Sequence, residues 1–121
     1  MSPHERILVA LAFPDAEPAV ALAGKLIGRV GGFKVGLELV NAAGFDVFAR
    51  LRDAGVERIF YDAKFHDIPN TVAGAVRAAA RRGVWMVNVH AAGGSALPRA
   101  ARDAAHEGGG TPPLLIGVTL L

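Results

Sequence analysis

The sequence predicts a parallel α/β fold, and three observations carry that prediction. Short apolar runs alternate with stretches of helical periodicity along all 121 residues. The runs begin near residues 7, 33, 58, 85 and 114, a spacing of 26, 25, 27 and 29 residues, which is the size of one strand–helix unit. Polar residues gather where those runs end, and parallel α/β folds build their sites at the C-terminal ends of strands. The rhythm fits a barrel or a doubly wound sheet, and periodicity alone leaves both open. A complete eight-unit barrel needs about 200 residues. This chain supplies four units and one extra strand, read as a single domain over residues 1–121.

The elements follow in order. Ile7-Leu8-Val9-Ala10-Leu11 is a continuous apolar run, as expected of a parallel strand buried on both faces. Asp15-Ala16-Glu17-Pro18 has the acidic residues and proline of a helix start, and Val20, Ala23, Leu26, Ile27 and Val30 recur at helical spacing. Gly31-Gly32 ends that helix before the short strand Phe33-Lys34-Val35-Gly36. A second helical segment runs from Glu38 to Ala54, with Gly44 as the point where it can break and Gly55 as its stop. The third strand covers Arg58 to Lys64, and a helix from Pro69 to Arg82 carries Val72, Ala75, Val76, Ala79 and Ala80 on one face. Trp85 to Val89 is the fourth strand. Gly93-Gly94-Ser95 leads into an alanine-rich helix from Leu97 to Glu107, and the Gly108-Gly109-Gly110 loop precedes a fifth strand, Leu114 to Leu120.

Composition excludes several classes of function. A formal charge of +2 is too small to argue for nucleic acid, and Arg77, Arg81 and Arg82 recur at helical spacing as a solvated face would. There is no cysteine, which excludes disulfides and Cys-ligated metals. No apolar run approaches the roughly 20 residues that span a bilayer, and Met1 to Arg6 lacks the pattern of a signal peptide. The chain is read as cytoplasmic, without nucleic-acid or membrane partners.

Charge is concentrated in one place, Asp62-Ala63-Lys64-Phe65-His66-Asp67, directly after the apolar Ile59-Phe60-Tyr61. Strand side chains alternate with a period of two, so Asp62 and Lys64 are expected on the same face. Charges at the end of a buried strand are costly unless paired or used. The plain alternative is a structural ion pair. Strand two offers Lys34, and strand four offers Asn88 and His90, as further polar residues at predicted strand ends. Taken singly they are weak: a strand lysine usually snorkels, and a lone histidine is usually a hydrogen-bonded structural group. His66 and His90 lack a third partner with metal-ligand spacing, so no metal is expected. Gly93-Gly94-Ser95 has the composition of a phosphate cradle, yet a plain turn is the simpler reading because the Gly-x-Gly-x-x-Gly pattern is absent.

The longer string Phe60-Tyr61-Asp62-Ala63-Lys64-Phe65-His66-Asp67-Ile68-Pro69-Asn70-Thr71 resembles the motif of the orotidine 5′-phosphate decarboxylases. Phe33-Lys34-Val35-Gly36, Trp85 to Ala91 and Leu114 to Thr119 stand in that family's order, so the resemblance covers nearly the whole chain. The Asp-x-Lys-x-x-Asp core is shared with sugar-phosphate lyases of the same superfamily, such as hexulose-phosphate synthase. The continuation through Pro69-Asn70-Thr71 favours the decarboxylase. The resemblance implies a (β/α)8 TIM barrel, of which this chain is the first half: about four βα units plus strand five. It implies a homodimer that turns orotidine 5′-monophosphate into UMP, in pyrimidine biosynthesis, with no cofactor and no metal.

It also implies roles. Lys64 would donate the proton, Asp62 would lie near the departing carboxylate, and Lys34 would hold Asp62 and the ribose. Asp67, Ile68 and Thr71 would reach into the partner subunit's site, and His90 would join the substrate-binding set. Two departures weaken the match. The family's first strand ends in an Ala-Leu-Asp context, whereas this chain has Ala10-Leu11-Ala12. The phosphate-gripping loops of such barrels follow strands seven and eight, so the isolated chain is expected to be weakly active or inactive. A non-catalytic half-barrel that exists to associate through its exposed strand edges is the alternative from another class.

Overall fold

The computed structural model describes residues 2–92 and 94–119. Its regular elements are β1 (Leu8–Ala10), α1 (Ala16–Leu26), β2 (Gly32–Gly36), α2 (Leu37–Ala43), α3 (Asp46–Asp53), β3 (Ile59–Phe65), α4 (Pro69–Arg81), β4 (Met86–His90), α5 (Ala96–His106) and β5 (Leu114–Val118). Strand order follows chain order. The chain divides into two compact units, residues 1–62 and residues 63–121.

In the first unit β1 pairs in parallel with β2, and β2 with β3, in the registers Val9↔Phe33, Lys34↔Phe60 and Gly36↔Asp62. The apolar layer contains Leu11, Val35, Leu39, Phe48, Leu51 and Ile59, all essentially inaccessible. Three aromatic rings tie helix to sheet: Phe48 meets Tyr61 edge-on at 5.3 Å between centroids, and Phe45 meets Tyr61 edge-on at 6.2 Å. The Arg50–Glu17 ion pair links α3 to α1 at the surface. The helical segment expected over Glu38 to Ala54 divides in two at Gly44, which takes φ 79° and donates its N–H to the Val40 carbonyl. Glycine adopts that left-handed cap without a Cβ penalty, so the α2 helix closes there.

The first strand departs from expectation. It is shorter than its apolar run and is not buried on both faces, with Leu8 and Val9 half-buried and Ala10 exposed. A strand with neighbours on both edges shares their cover, whereas β1 pairs only with β2. A short 3₁₀ turn at Pro3–Arg6, not foreseen in the sequence, precedes it. Its Glu5 carboxylate accepts from both the Ser2 hydroxyl at 2.7 Å and the Ser2 N–H at 3.2 Å. Those bonds hold the Glu5 carboxyl below its ordinary pKa. The turn also dictates Gly31, where a Cβ would lie 1.9 Å from the Glu5 carbonyl oxygen.

In the second unit β4 pairs in parallel with β5 from Met86↔Leu114 to His90↔Val118. The predicted end of the fifth strand at Leu120 lies outside the described residues. The α4 helix buries Val72, Ala73, Val76 and Ala79, and α5 buries Leu97, Ala101, Ala104 and Ala105. Small side chains on both helices let them pack closely. The rim of that contact carries a two-pronged bond from Arg77 to the Glu107 carboxylate, Nε at 2.5 Å and Nη2 at 3.3 Å. Arg77 is thus an interhelical pin as well as part of a solvated face. Hydrogen bonding to Arg77 holds the Glu107 carboxyl below its ordinary value and raises Arg77 in turn.

A carboxylate whose pKa is lowered on folding stabilises the fold above its unfolded pKa, and that contribution is lost as pH falls through the lowered value. Glu107→Gln is therefore expected to lower the thermal midpoint slightly at neutral pH. The difference from the unsubstituted chain should close as the solution is acidified through the glutamate range, and should shrink in high salt because the pair is exposed. Melts followed by circular dichroism across pH measure both effects.

Candidate active site

Lys34 and Asp62 are brought together by the β2–β3 register. Along β2, Phe33 and Val35 are buried, so the intervening Lys34 turns to the opposite face. Along β3, Ile59, Tyr61 and Ala63 are buried while Phe60 and Asp62 are half-buried and Lys64 is exposed. Lys34 stands opposite Phe60, a diagonal step from Asp62, and its Nζ reaches Asp62 Oδ2 at 3.4 Å. The Asp62 side chain is only 10% exposed against 40% for Lys34. The carboxylate is the desolvated partner, and the half-exposed ammonium offsets part of that cost. Ala12, the residue at the expected aspartate position, is exposed just beyond β1, where the Phe13 N–H turns back to the Leu11 carbonyl.

The second unit holds Lys64, and its backbone is unusual. Lys64 takes φ 51°, the one positive value among the described non-glycine residues. That left-handed region is disfavoured for residues with a Cβ. The Lys64 N–H donates to Oδ1 of Asn88 at 2.8 Å. Asn88 is 3% exposed, a buried polar residue between the buried Val87 and Val89. Two residues further along the chain from each, the rings of His66, just past β3, and His90 stack at 4.4 Å and 22°.

At the start of α4, the Asp67 carboxylate accepts from the Ile68 N–H at 2.7 Å. Pro69 occupies the first turn, where its missing N–H costs nothing. Asp67, Ile68 and Thr71 are all exposed there, Ile68 by 65%. Of the Gly93-Gly94-Ser95 turn, Gly93 lies outside the described residues, Gly94 takes φ 102°, and Ser95 precedes α5 without a side-chain cap bond.

His90 differs from its plain sequence reading. His90 is a strand residue whose Nδ1 is buried without a hydrogen-bond partner among the described residues, so it is not the hydrogen-bonded structural histidine that a lone His suggests. The exposed His66 ring stacks on it. Asn88 was visible only as a polar residue on strand four. The signal that could have marked it is its place between Val87 and Val89, where an amide needs a partner.

Comparison with known proteins places this geometry. The model of the orotidine 5′-phosphate decarboxylase / HUMPS family matches residues 5–121. The chain belongs to that family. A curated relative from Nitratidesulfovibrio vulgaris, named orotidine 5′-phosphate decarboxylase, is 54% identical over 118 residues, covering 95% of this chain and 50% of the relative. One of the same name from Alkalilimnicola ehrlichii is 52% identical, covering 98% of this chain and 49% of the relative. Among solved structures, an uncharacterized conserved protein from Geobacillus kaustophilus superposes with a TM-score of 0.85 at 38% identity, over 94% of this chain and 54% of that one. The Lactobacillus acidophilus orotidine 5′-phosphate decarboxylase superposes with a TM-score of 0.76 at 36% identity, over 95% and 53%. The chain spans about half the length of the relatives it matches. Its parallel α/β architecture is that of the family's TIM barrel over this half. Among the described residues, no helix is long and apolar enough to cross a membrane.

Proposed function

We propose that residues 1–121 form one N-terminal half-barrel domain of an orotidine 5′-phosphate decarboxylase, acting in cytoplasmic pyrimidine synthesis. The observation that carries this reading is the Lys34–Asp62 ion pair on the open face of β3, the strand that bears Lys64 two residues later. The curated relatives' names support the reaction. In the proposed step the C6–carboxylate bond breaks, CO2 leaves, and the electron pair remains on C6. The Lys64 ammonium donates a proton to form the C6–H bond, and the neutral amine regains its proton from water. Before transfer the same ammonium stabilises the growing negative charge. Asp62 lies by the departing carboxylate, and Lys34 holds Asp62 and the ribose. His90 belongs to the substrate-binding set, and no cofactor or metal enters the step.

The proposed active form is a homodimer in which Asp67, Ile68 and Thr71 complete the partner's site. Ile68 fits this, being the most exposed of the large apolar side chains described, at 65%, and so open to a partner. Ile68→Asp should convert the dimer to a monomer, read by light scattering. An unchanged mass would remove Ile68 from the interface.

Turnover tests the central reading. Joined to the C-terminal half of the Nitratidesulfovibrio vulgaris relative, this chain should convert orotidine 5′-monophosphate to UMP, followed by absorbance, while the 121-residue chain alone turns over weakly or not at all. Lys64→Ala in the joined protein should lower kcat by at least about 10²–10⁴-fold, the span of a general acid. A folded joined protein that neither turns over nor binds a pyrimidine nucleotide would redirect the assignment to a sugar-phosphate substrate.

Ala12 supplies a second assay. Ala12→Asp restores the carboxylate of the resembling family, and a charged hydrogen bond to a ribose hydroxyl contributes roughly 1.5–3 kcal/mol. UMP binding by the joined protein should tighten by about tenfold or more on calorimetry.

A further inference from the structure

We infer that Asn88 is a positioning residue for Lys64: it holds the Lys64 backbone in the left-handed conformation that aims the side chain. The inference rests on the reading of Lys64 as proton donor. Two exceptions in the described residues coincide at one bond. Lys64 is the non-glycine residue with positive φ, and Asn88 is the buried polar residue of the core. The Lys64 N–H meets Asn88 Oδ1 at 2.8 Å.

Neither exception is what a strand requires. An extended residue at 64 would suit β3, and an aliphatic residue at 88 would suit Met86-Val87-x-Val89. An amide in that run is unfavourable unless bonded, and a left-handed lysine persists only where its surroundings over-determine it. Each exception makes the other tenable. The consequence falls on direction. The Cα–Cβ vector is fixed by the backbone, so moving residue 64 from extended to left-handed geometry re-aims the whole lysine side chain. Two residues on, the His90 ring against His66 grips the same stretch again. Residues 88 and 90 of β4 thus hold residues 64 and 66 from either side of the bend.

Two variants separate this role from general stability. Asn88→Leu keeps the volume and removes the acceptor, while Asn88→Asp keeps an acceptor oxygen. In the 121-residue chain, amide hydrogen exchange and the HN–Hα coupling of Lys64 are read by nuclear magnetic resonance. Asn88→Leu should lower the protection of the Lys64 amide by about tenfold and shift its coupling toward extended values. The amides of α5 and β5 should be unchanged, and Asn88→Asp should retain part of the protection. In the joined protein, Asn88→Leu should lower kcat by about 10²-fold, the effect of a misplacement on the order of 1 Å, with KM within about threefold.

An unchanged Lys64 coupling and protection would overturn the inference, as would a uniform loss across all amides. A local backbone change with unaltered kcat in an active joined protein would overturn the link to proton transfer. If the unsubstituted joined protein has no decarboxylase activity, it is the functional reading that fails, and the backbone measurements still decide whether Asn88 positions Lys64.

Discussion

Ile59, Tyr61 and Ala63 face the apolar layer, and the geometry of an extended backbone turns Phe60 and Asp62 the other way. The β3 strand cannot do one without the other. The aromatic cluster of Phe45 and Phe48 on Tyr61 fixes which face is inward, and a one-residue slip would drive Asp62 into that cluster unpaired. Core packing and charge placement are therefore one constraint. The β2 register adds Lys34 at the diagonal position, where a half-exposed ammonium can partner a nearly buried carboxylate.

The end of the same strand follows a different rule. At Lys64 the backbone leaves the extended region, and the next strand supplies a side-chain oxygen to its N–H. The buried polar atoms are satisfied by a specific pairing of residues 24 positions apart. The arrangement places the conformational exception of the described residues at the lysine proposed to donate the proton, as strained geometry at a site would. The surrounding aliphatic packing of Val87 and Val89 gives the amide no water to fall back on, which makes the bond hard to lose.

The helices do simpler work. Small residues on α4 and α5 bring their axes close, and the Arg77–Glu107 bond covers the rim of the contact. Gly44 and Gly31 are each dictated by backbone: one by a left-handed helix end, the other by the approach of the Glu5 carbonyl. Ile68 at the start of α4 is the most exposed of the large apolar side chains, with Leu114 and Ile116 of β5 also open in the same unit.

Much of this was legible in the amino-acid order. Apolar runs at a near-constant interval specify strand–helix units, because strand and helix periods differ and each must bury one face. Asp62, Lys64 and Lys34 were findable because charge on a buried-strand pattern is expensive and therefore conspicuous. The limits of β1 were not, since burial there depends on how many strands flank it. Nor was the left-handed backbone at Lys64, which carries no local mark: lysine has no preference for positive φ, and the bond that holds it comes from another strand. The sequence by itself determined the alternation, the charges and the family likeness. Tertiary structure decided which charges pair and which way Lys64 is turned, because both depend on contacts between residues far apart in the chain.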